Sequence, residues 1–565
     1  MEDAGASQRL AFADATAAAR VGMSLSHRAS LHPERDAIRC EHGDRTFAAL
    51  NARANRLLRA LRARGLRAGD GVAIVSRNRP EFAEAFFACL RGGLRFTPVN
   101  WHGSEDEIAY VVADCEARAL VCDAAFAPAA ARAREAAGAR LDVRLAVGGA
   151  LDAFEPFEDA LAPESGDDVE DASLGDTMLY TSGTTGRPKG VRRAPPEPDT
   201  AAVGLQLLIG VFDFRADAGD VSLATGPLYH SGPLNLCLNA PLSAGVPVVL
   251  MDKWDARRML ALLERHGVTH TFCVPTMFHR LLALPEGERR ACDTSRLRFV
   301  IHGAAPTPVE DKRRMIEWLG PILTEIFAST EGPGTFVSSQ EWLARPGTVG
   351  RPAPGAVRIL DERGAELPPG EVGVVHLRAA PGASFEYFKD AEKTRAAQRD
   401  GFYTVGDVGY LDDEGYLFLT GRSAELAIVG GTNVYPAEID DVLLLHDAVE
   451  DAAAFGVPSA EWGEEIEAIV ALAPDASPGD ALAEALRAHC RERLPTIKIP
   501  RRIAFVERVP RSEAGKVLRR RIRDERLAQE APGGGAAGGA ADGAKGGAKG
   551  GAAGGAKGGA AERGT

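Results

Sequence analysis

Cysteine is present but never grouped. The eight thiols (Cys40, Cys89, Cys115, Cys122, Cys237, Cys273, Cys292 and Cys490) are scattered along the chain, without the close pairs of a metal-ligand set or the framework of a disulfide-rich domain. Several fall in apolar runs, which reads as buried thiols in a reducing, cytoplasmic setting. Basic charge is in deficit: 66 Lys and Arg against 79 Asp and Glu leave a net charge of −13. That balance speaks against nucleic acid as the main partner, because phosphate-backbone binders need a basic surface. Long hydrophobic runs are missing too. The longest nearly uncharged stretch, Ser231 to Met251, is broken by Pro233, Asn235, Asn239, Pro241, Gly245 and Pro247. It makes a poor transmembrane span and reads as the buried wall of a pocket. The opening Met-Glu-Asp lacks the charged-then-apolar pattern of a secretory leader.

What is present fits a soluble α/β protein of more than one domain. The chain has 565 residues, 45% of them hydrophobic and 26% charged, too long for one ordinary core. An amphipathic stretch over residues 1–30 is followed by a short strand pair within 36–44. Phe47, Leu50, Ala54, Leu57, Leu58 and Leu61 recur at helical spacing up to Gly65. Val72 to Val75 reads as a buried strand, Glu81 to Leu90 as a helix, and Thr97 to Asn100 as a strand end. Strands alternating with helices imply parallel βαβ layers. Alanine-rich helical text is expected to continue to about residue 150, with an acidic loop over 164–171.

One stretch organises the rest. Tyr180 to Val191 reads Tyr-Thr-Ser-Gly-Thr-Thr-Gly-Arg-Pro-Lys-Gly-Val, with hydroxyls, glycines and one lysine and little to bury. Glycines let backbone approach a ligand, and successive N–H groups and hydroxyls make a nest for phosphate oxygens beside the Lys189 charge. A Walker-type loop fails on spacing, since its lysine precedes Ser or Thr at a helix start, whereas Lys189 lies between Pro188 and Gly190. Further on come Pro227-Leu-Tyr-His-Ser-Gly232, Phe299-Val-Ile-His-Gly-Ala-Ala-Pro306, Ile326-Phe-Ala-Ser-Thr-Glu-Gly332 and Gly347-Thr-Val-Gly-Arg-Pro352. After these stand Gly401-Phe-Tyr-Thr-Val-Gly-Asp407, Gly421-Arg422, Val429-Gly-Gly-Thr-Asn-Val434 and Pro510-Arg-Ser-Glu-Ala-Gly-Lys516.

These segments, in this order over roughly residues 30–525, closely resemble the adenylate-forming superfamily, and within it AMP-forming acyl-CoA synthetases. The neighbourhoods of His302–Pro306 and Phe327–Gly332 look most like bacterial fatty-acyl-CoA synthetases. The resemblance implies an adenylation domain over residues 1–421, built of βαβ layers and a small β-subdomain, and a hinge over 422–425 centred on Ala424. A smaller, mobile α/β C-terminal domain over 426–528 would follow, then a disordered Gly/Ala/Lys tail over 529–565. It implies ATP, Mg²⁺ and CoA as cofactor and co-substrates. The phosphates would lie on Thr181, Ser182, Gly183, Thr184, Thr185, Gly186 and Lys189, and Mg²⁺ on Glu331 and Thr181, since the ion demands hard oxygen ligands. Gly303, Ala304, Ala305, Phe327, Ala328, Thr330 and Arg422 would bind the nucleotide, with Phe327 against the adenine, and Asp407 would hold the ribose. His230, Ser231, Gly232, Gly303 and Ala328 would line the acyl substrate, and Gly430, Gly431 and Asn433 the CoA tunnel. Lys516 would neutralise charge on the carboxylate and α-phosphate during adenylation, which makes Lys516, Lys189, Glu331 and His230 the catalytic set.

The chain also departs from the family pattern. Phe327 and Ala328 stand where Tyr-Gly is usual, and Ala424 where Asp or Lys is. Peptide-synthetase relatives place an aspartate near His230 to hold an amino group, and this chain has no acidic residue between Asp220 and Asp252, so an amino-acid substrate is disfavoured. A hydrophobic acid, a medium- or long-chain fatty acid among them, is expected. Two rivals stay open: a ligase that loads the thiol of a carrier protein, and a non-catalytic nucleotide-binding relative. The oligomeric state is open as well, a homodimer included.

Overall fold

A strand such as Val72-Ala73-Ile74-Val75 has no polar alternate residue, so it is stable only where both of its faces are covered. The computed structural model, which describes residues 10–181, 187–194, 197–379, 384–459, 461–512 and 515–530, places it so. Gly71–Val75 lies inside a six-stranded sheet whose pairings are all parallel. Val72 and Ile74 face one apolar core, Ala73 and Val75 another, the two-residue period of a strand. The first core is shared with an eight-stranded sheet, through Leu223, Val248 and Ile301 among others. That second sheet is parallel through its interior, with antiparallel edges at Arg45–Thr46 and Gly332–Ser338.

Between the sheets runs the helix Phe47–Ala63. Thr46 caps it by accepting from the Ala49 N–H at 3.2 Å, and its Leu50, Ala54, Leu57, Leu58 and Leu61 are all buried. Each such leucine contributes roughly 1.5–3 kcal/mol of burial.

The reading of residues up to 150 as helical is corrected here. Glu105–Asp114 and Ala127–Ala137 are helices, but Ala117–Asp123 and Val143–Val147 are strands of the six-stranded sheet. Alanine and arginine within Ala-Arg-Ala-Leu-Val-Cys-Asp hide a short run that is buried along nearly its whole length. The acidic stretch over 164–171 is also more than a loop. Asp168 is buried and accepts from Asn51 Nδ2 at 2.8 Å, Asn55 Nδ2 at 3.0 Å, the Leu10 N–H at 2.8 Å and the Ser26 hydroxyl. Burial alone would raise its pKa, yet these donors outweigh it and hold the carboxyl below its ordinary value. The buried Arg91 donates to Asn51 Oδ1 and Asn55 Oδ1 from the other side.

A three-stranded sheet (Leu179–Thr181, Lys189–Arg193, Phe385–Tyr387) and a larger antiparallel sheet built on Gly373–Arg378, Asp407–Leu411 and Leu417–Arg422 complete this part. One turn of 3-10 helix, Ser423–Glu425, then leads to a separate five-stranded sheet. There Val449–Ser459 and Gly463–Leu472 form a long antiparallel pair, with Arg502–Val506 parallel to the latter. Its own core gathers Ile439, Leu443, Val470 and Leu486. The last helix, Arg519–Glu530, runs past residue 528. Its buried Arg519 donates to Asp440 Oδ2 at 2.5 Å, Glu425 Oε2 at 3.0 Å and the Ala454 carbonyl at 2.7 Å. Among the described residues no helix is long and apolar enough to cross a membrane, and all eight cysteines are free thiols.

Candidate active site

The strand Leu179–Thr181 delivers the chain to the predicted phosphate loop, held from behind by the Tyr180 hydroxyl donating to Asp114 Oδ2 at 2.6 Å. Ser182, Gly183, Thr184, Thr185 and Gly186 lie outside the described residues. Thr181 and Lys189 bracket them, paired across the antiparallel ladder, and both border a cleft of about 2540 Å³. Lys189 Nζ is buried there, with no hydrogen-bond partner among the described residues. An unpaired ammonium away from water is costly, which is the condition of a group that awaits an anion.

Glu331 reaches the same cleft from the bend between Leu323–Ser329 and Gly332–Ser338. It is 8% exposed and accepts from the Tyr387 hydroxyl at 2.9 Å. Burial, then the Glu331 charge, push the Tyr387 phenol up, so it stays a donor. Thr330 and Ala328 also border the cleft, as does Phe327, which packs partly into the core of the larger antiparallel sheet.

Gly303, Ala304 and Ala305 form the cleft wall at the end of the strand Phe299–Gly303. The first demand on Gly303 comes from the sheet, since a Cβ there would lie 2.3 Å from the Ile326 carbonyl oxygen. Ala304 has φ +73°, a left-handed conformation that alanine adopts at a cost of roughly 1–2 kcal/mol. Beneath this wall lies a buried charge group that the sequence reading missed. Lys312 Nζ donates to Glu325 Oε2 at 2.5 Å and sits 4.7 Å from the Trp342 ring centre. Burial drives the two pKa values toward neutrality, Lys312 down and Glu325 up, each against the pull of its partner. His302 beside them is held well below its ordinary value by burial and then by Lys312. Its Nδ1 is within 3.2 Å of the Thr307 hydroxyl.

His230, Ser231 and Gly232 line the cleft ahead of the π-helix Pro233–Asn239. Asn235 Nδ2 donates to the Ser231 carbonyl at 3.0 Å, and a Cβ on Gly232 would press on the Phe272 ring at 3.0 Å. Burial, with His102 adding to it, brings His230 down to about 4, so the ring is neutral at physiological pH. Its Nε2 is sealed and has no partner among the described residues, although the ring edge is partly reached from the cleft. Apolar side chains of Leu208, Leu236, Phe272, Val274 and Met277 face the same space.

At the other side, Arg422 Nε forms an ion pair with Asp407 Oδ1 at 2.9 Å, joining two residues that the sequence singled out. Lys516, from the smaller sheet domain, is held beside them. Its Nζ is 3.9 Å from Glu425 Oε1. Burial and then Arg422 lower its pKa, and Glu425 and Asp407 oppose them. Gly515 sits so close to the first domain that a Cβ on it would meet the Thr276 hydroxyl at 2.9 Å. Ala424 borders the cleft within the Ser423–Glu425 turn.

Gly430, Gly431 and Asn433 are not brought to the cleft. They sit exposed on the hairpin of Ala427–Val429 and Thr432–Val434. Gly430 at φ +57° and Gly431 at φ +80° make its turn, a conformation that favours glycine. Sequence reasoning also passed over Arg193, Tyr387, Glu425 and the His279–Asp311 pair, whose 3.1 Å contact raises His279. Among the described residues one further group, Glu41, His42 and Asp252, could approach a metal. Its carboxylates are already engaged by Arg258 at 2.8 Å and Arg77 at 3.3 Å.

Comparison with known proteins bears on this geometry directly. Residues 25–387 match the AMP-binding enzyme family, and residues 438–516 its C-terminal domain. A fatty acid–[acyl-carrier-protein] ligase of Streptomyces coeruleorubidus is 32% identical over 89% of this chain and 95% of its own. A feruloyl-CoA synthase of Amycolatopsis is 33% identical over 88% and 97%. Among solved structures, an anthranilate CoA ligase in complex with anthranoyl-AMP superimposes with a TM-score of 0.80 at 26% identity, over 89% of this chain and 96% of that one. ATP-bound MatB from Rhodopseudomonas palustris gives 0.75 at 30% identity, over 89% and 98%.

Proposed function

Because the chain belongs to the AMP-binding enzyme family, we propose that it is an ATP-dependent ligase that activates a carboxylic acid as its acyl-adenylate and passes the acyl group to the thiol of CoA. The observation that carries this reading is the convergence of Lys189, Glu331, Asp407, Arg422 and Lys516 on one cleft, the last of them from the second domain.

In the first step the carboxylate attacks the α-phosphorus, the new C–O–P linkage forms, and pyrophosphate leaves. Lys189, with Thr181 and the loop 182–186, holds the phosphates. Bound Mg²⁺ would neutralise phosphate charge, and Glu331 with Thr181 offers the hard oxygen donors that it takes. Asp407, fixed by Arg422, accepts from the ribose hydroxyls. Gly303, Ala304, Ala305, Phe327, Ala328 and Thr330 enclose the base. Lys516 stabilises the charge that builds at the reacting centre, an electrostatic role needing no covalent chemistry. In the second step residues 426–530 turn as a body about Ala424 within 422–425. Lys516 withdraws, and Gly430, Gly431 and Asn433 move in to line a path for the CoA thiol. Their exposure on a hairpin outside the cleft supports this reading.

We further propose a hydrophobic acid, a medium- or long-chain fatty acid being the first choice, with its carboxylate end near His230, Ser231 and Gly232. The apolar lining by Leu236, Phe272 and Met277 supports it. Relatives act on acids as different as ferulate, indoleacetate and fatty acids. A carrier-protein thiol is a second acceptor, favoured by the streptomycete relative.

The test is AMP release from ATP across a panel of fatty and aromatic acids, with and without CoA. AMP formation that needs both acid and CoA and yields a thioester supports the ligase. Turnover of short polar acids well above hydrophobic ones overturns the substrate reading. Acid-dependent pyrophosphate exchange with no thioester formed on CoA points to the carrier protein.

A further inference from the structure

Lys189, Val191 and Arg193 alternate along one strand and so project from the same face of the three-stranded sheet. By strand rise the Lys189 and Arg193 backbones stand about 13 Å apart, and both residues border the large cleft. On the neighbouring strand Tyr387 registers with Val191, and its hydroxyl donates to Glu331. Arg193 Nη2 donates to the Thr330 carbonyl at 2.5 Å, which sets the guanidinium beside Glu331, with Tyr403 as its other polar neighbour. Among the described residues no carboxylate lies within ion-pair distance of it, whereas Arg192, on the opposite face, pairs with Glu386 at 3.6 Å. A guanidinium carries five N–H donors. One is spent on the Thr330 carbonyl, and the residue borders the cleft that Lys189 and Glu331 also line.

We propose that Arg193 is a second anion anchor of this site, binding the β- and γ-phosphates of ATP and holding the pyrophosphate that departs. This rests on the reading of the cleft as an ATP site. When the carboxylate–phosphorus bond forms and the α–β phosphoanhydride bond breaks, the electron pair stays on a β-phosphate oxygen. Lys189 meets that growing charge as a point cation, and Arg193 meets it with a planar fork that matches two phosphate oxygens at once. The hydrogen bond to the Thr330 carbonyl fixes the fork relative to Glu331, so the anchor and the metal-binding carboxylate are set by the same bend of chain.

The test is titration of the full chain and its R193A, R193K and R192A variants with Mg·pyrophosphate, Mg·ATP and AMP, followed by calorimetry. AMP lacks the β- and γ-phosphates and reports on the intact adenosine site. R193A is expected to weaken Mg·pyrophosphate and Mg·ATP by about 10–100-fold, the scale of charge-assisted hydrogen bonds, while AMP affinity stays within twofold. R193K should fall between, and R192A should match the parent. Pyrophosphate affinity unchanged in R193A overturns the proposal, and so does equal weakening of AMP and pyrophosphate, which would make Arg193 a brace for the Glu331 bend. A parent protein that binds Mg·ATP and loses it in R193A, yet forms AMP with no acid, leaves the anchor standing and removes the ligase reading. A parent that binds neither Mg·ATP nor pyrophosphate removes both.

Discussion

Replacing Lys516 with alanine removes the one ammonium that the smaller domain contributes to the cleft, and the size of the loss can be worked from its surroundings. The side chain is 28% exposed, with Nζ 3.9 Å from Glu425 and with Arg422, Asp407 and Arg519 as its other charged neighbours. Two unit charges 4 Å apart interact by about 4 kcal/mol at an effective dielectric of 20, and part of that is screened by water reaching the side chain. Donors aimed at developing oxyanions are worth about 2.7–4 kcal/mol when removed, a factor of roughly 10²–10³ in rate. Lys516→Ala should therefore slow acyl-adenylate formation by about 10²–10³-fold. Thioester formation from supplied acyl-adenylate and CoA should be largely spared if, as proposed, the lysine withdraws in that step. Single-turnover assays of the two half-reactions make the comparison. Equal loss of both would refute the two-posture reasoning, and so would an adenylation rate within a few fold of the parent. The pH profile has a fixed sign: burial and Arg422 lower the Lys516 pKa, so adenylation should decline with rising pH earlier than an ordinary lysine near 10.5 would allow. Lys516→Arg should move that decline to higher pH.

Two further outcomes concern stability. His230 titrates at about 4 in the folded chain against 6.5 when free, so its contribution is complete above 6.5 and is lost as pH falls toward 4. That contribution is no more than about 3 kcal/mol. Urea midpoints between pH 7 and pH 5 should fall less in His230→Gln than in the parent, and parallel slopes would contradict the burial argument. Lys312→Met strands the buried Glu325 and should destabilise the chain by about 3–5 kcal/mol. Lys312→Met with Glu325→Leu should recover most of that in thermal unfolding, and a double variant as weak as the single would refute the pairing.

The sheets were legible where an apolar run is uninterrupted, as at Val72–Val75, because a doubly covered strand leaves no polar alternation to confuse. They were illegible at Ala117–Asp123, where alanine and arginine suit a helix and only the neighbouring strands decide. Lys189 stood out from its loop of glycines and hydroxyls, whereas Glu331, Asp407, Arg422 and Lys516 stood out through the resemblance of their flanking segments to the adenylate-forming superfamily. Arg193 and Tyr387 did not, since their partners Thr330 and Glu331 lie far away in the chain, and no local spacing announces the pairing of Lys312 on a helix with Glu325 on the strand after it. Asp168 looked like one more acid in a solvated loop. Its four donors come from three separate segments, which only the folded chain assembles.

Ala304 stands at a point where drift would run downhill for folding. Held at φ +73°, it keeps the chain about 1 kcal/mol above what glycine would need there, and it borders the cleft through a single methyl group. A variant library sorted for heat resistance alone would therefore be enriched in glycine at 304. The same library sorted for discrimination between ligands would hold the alanine, because glycine would leave the wall one methyl shallower and free to wander in both φ basins.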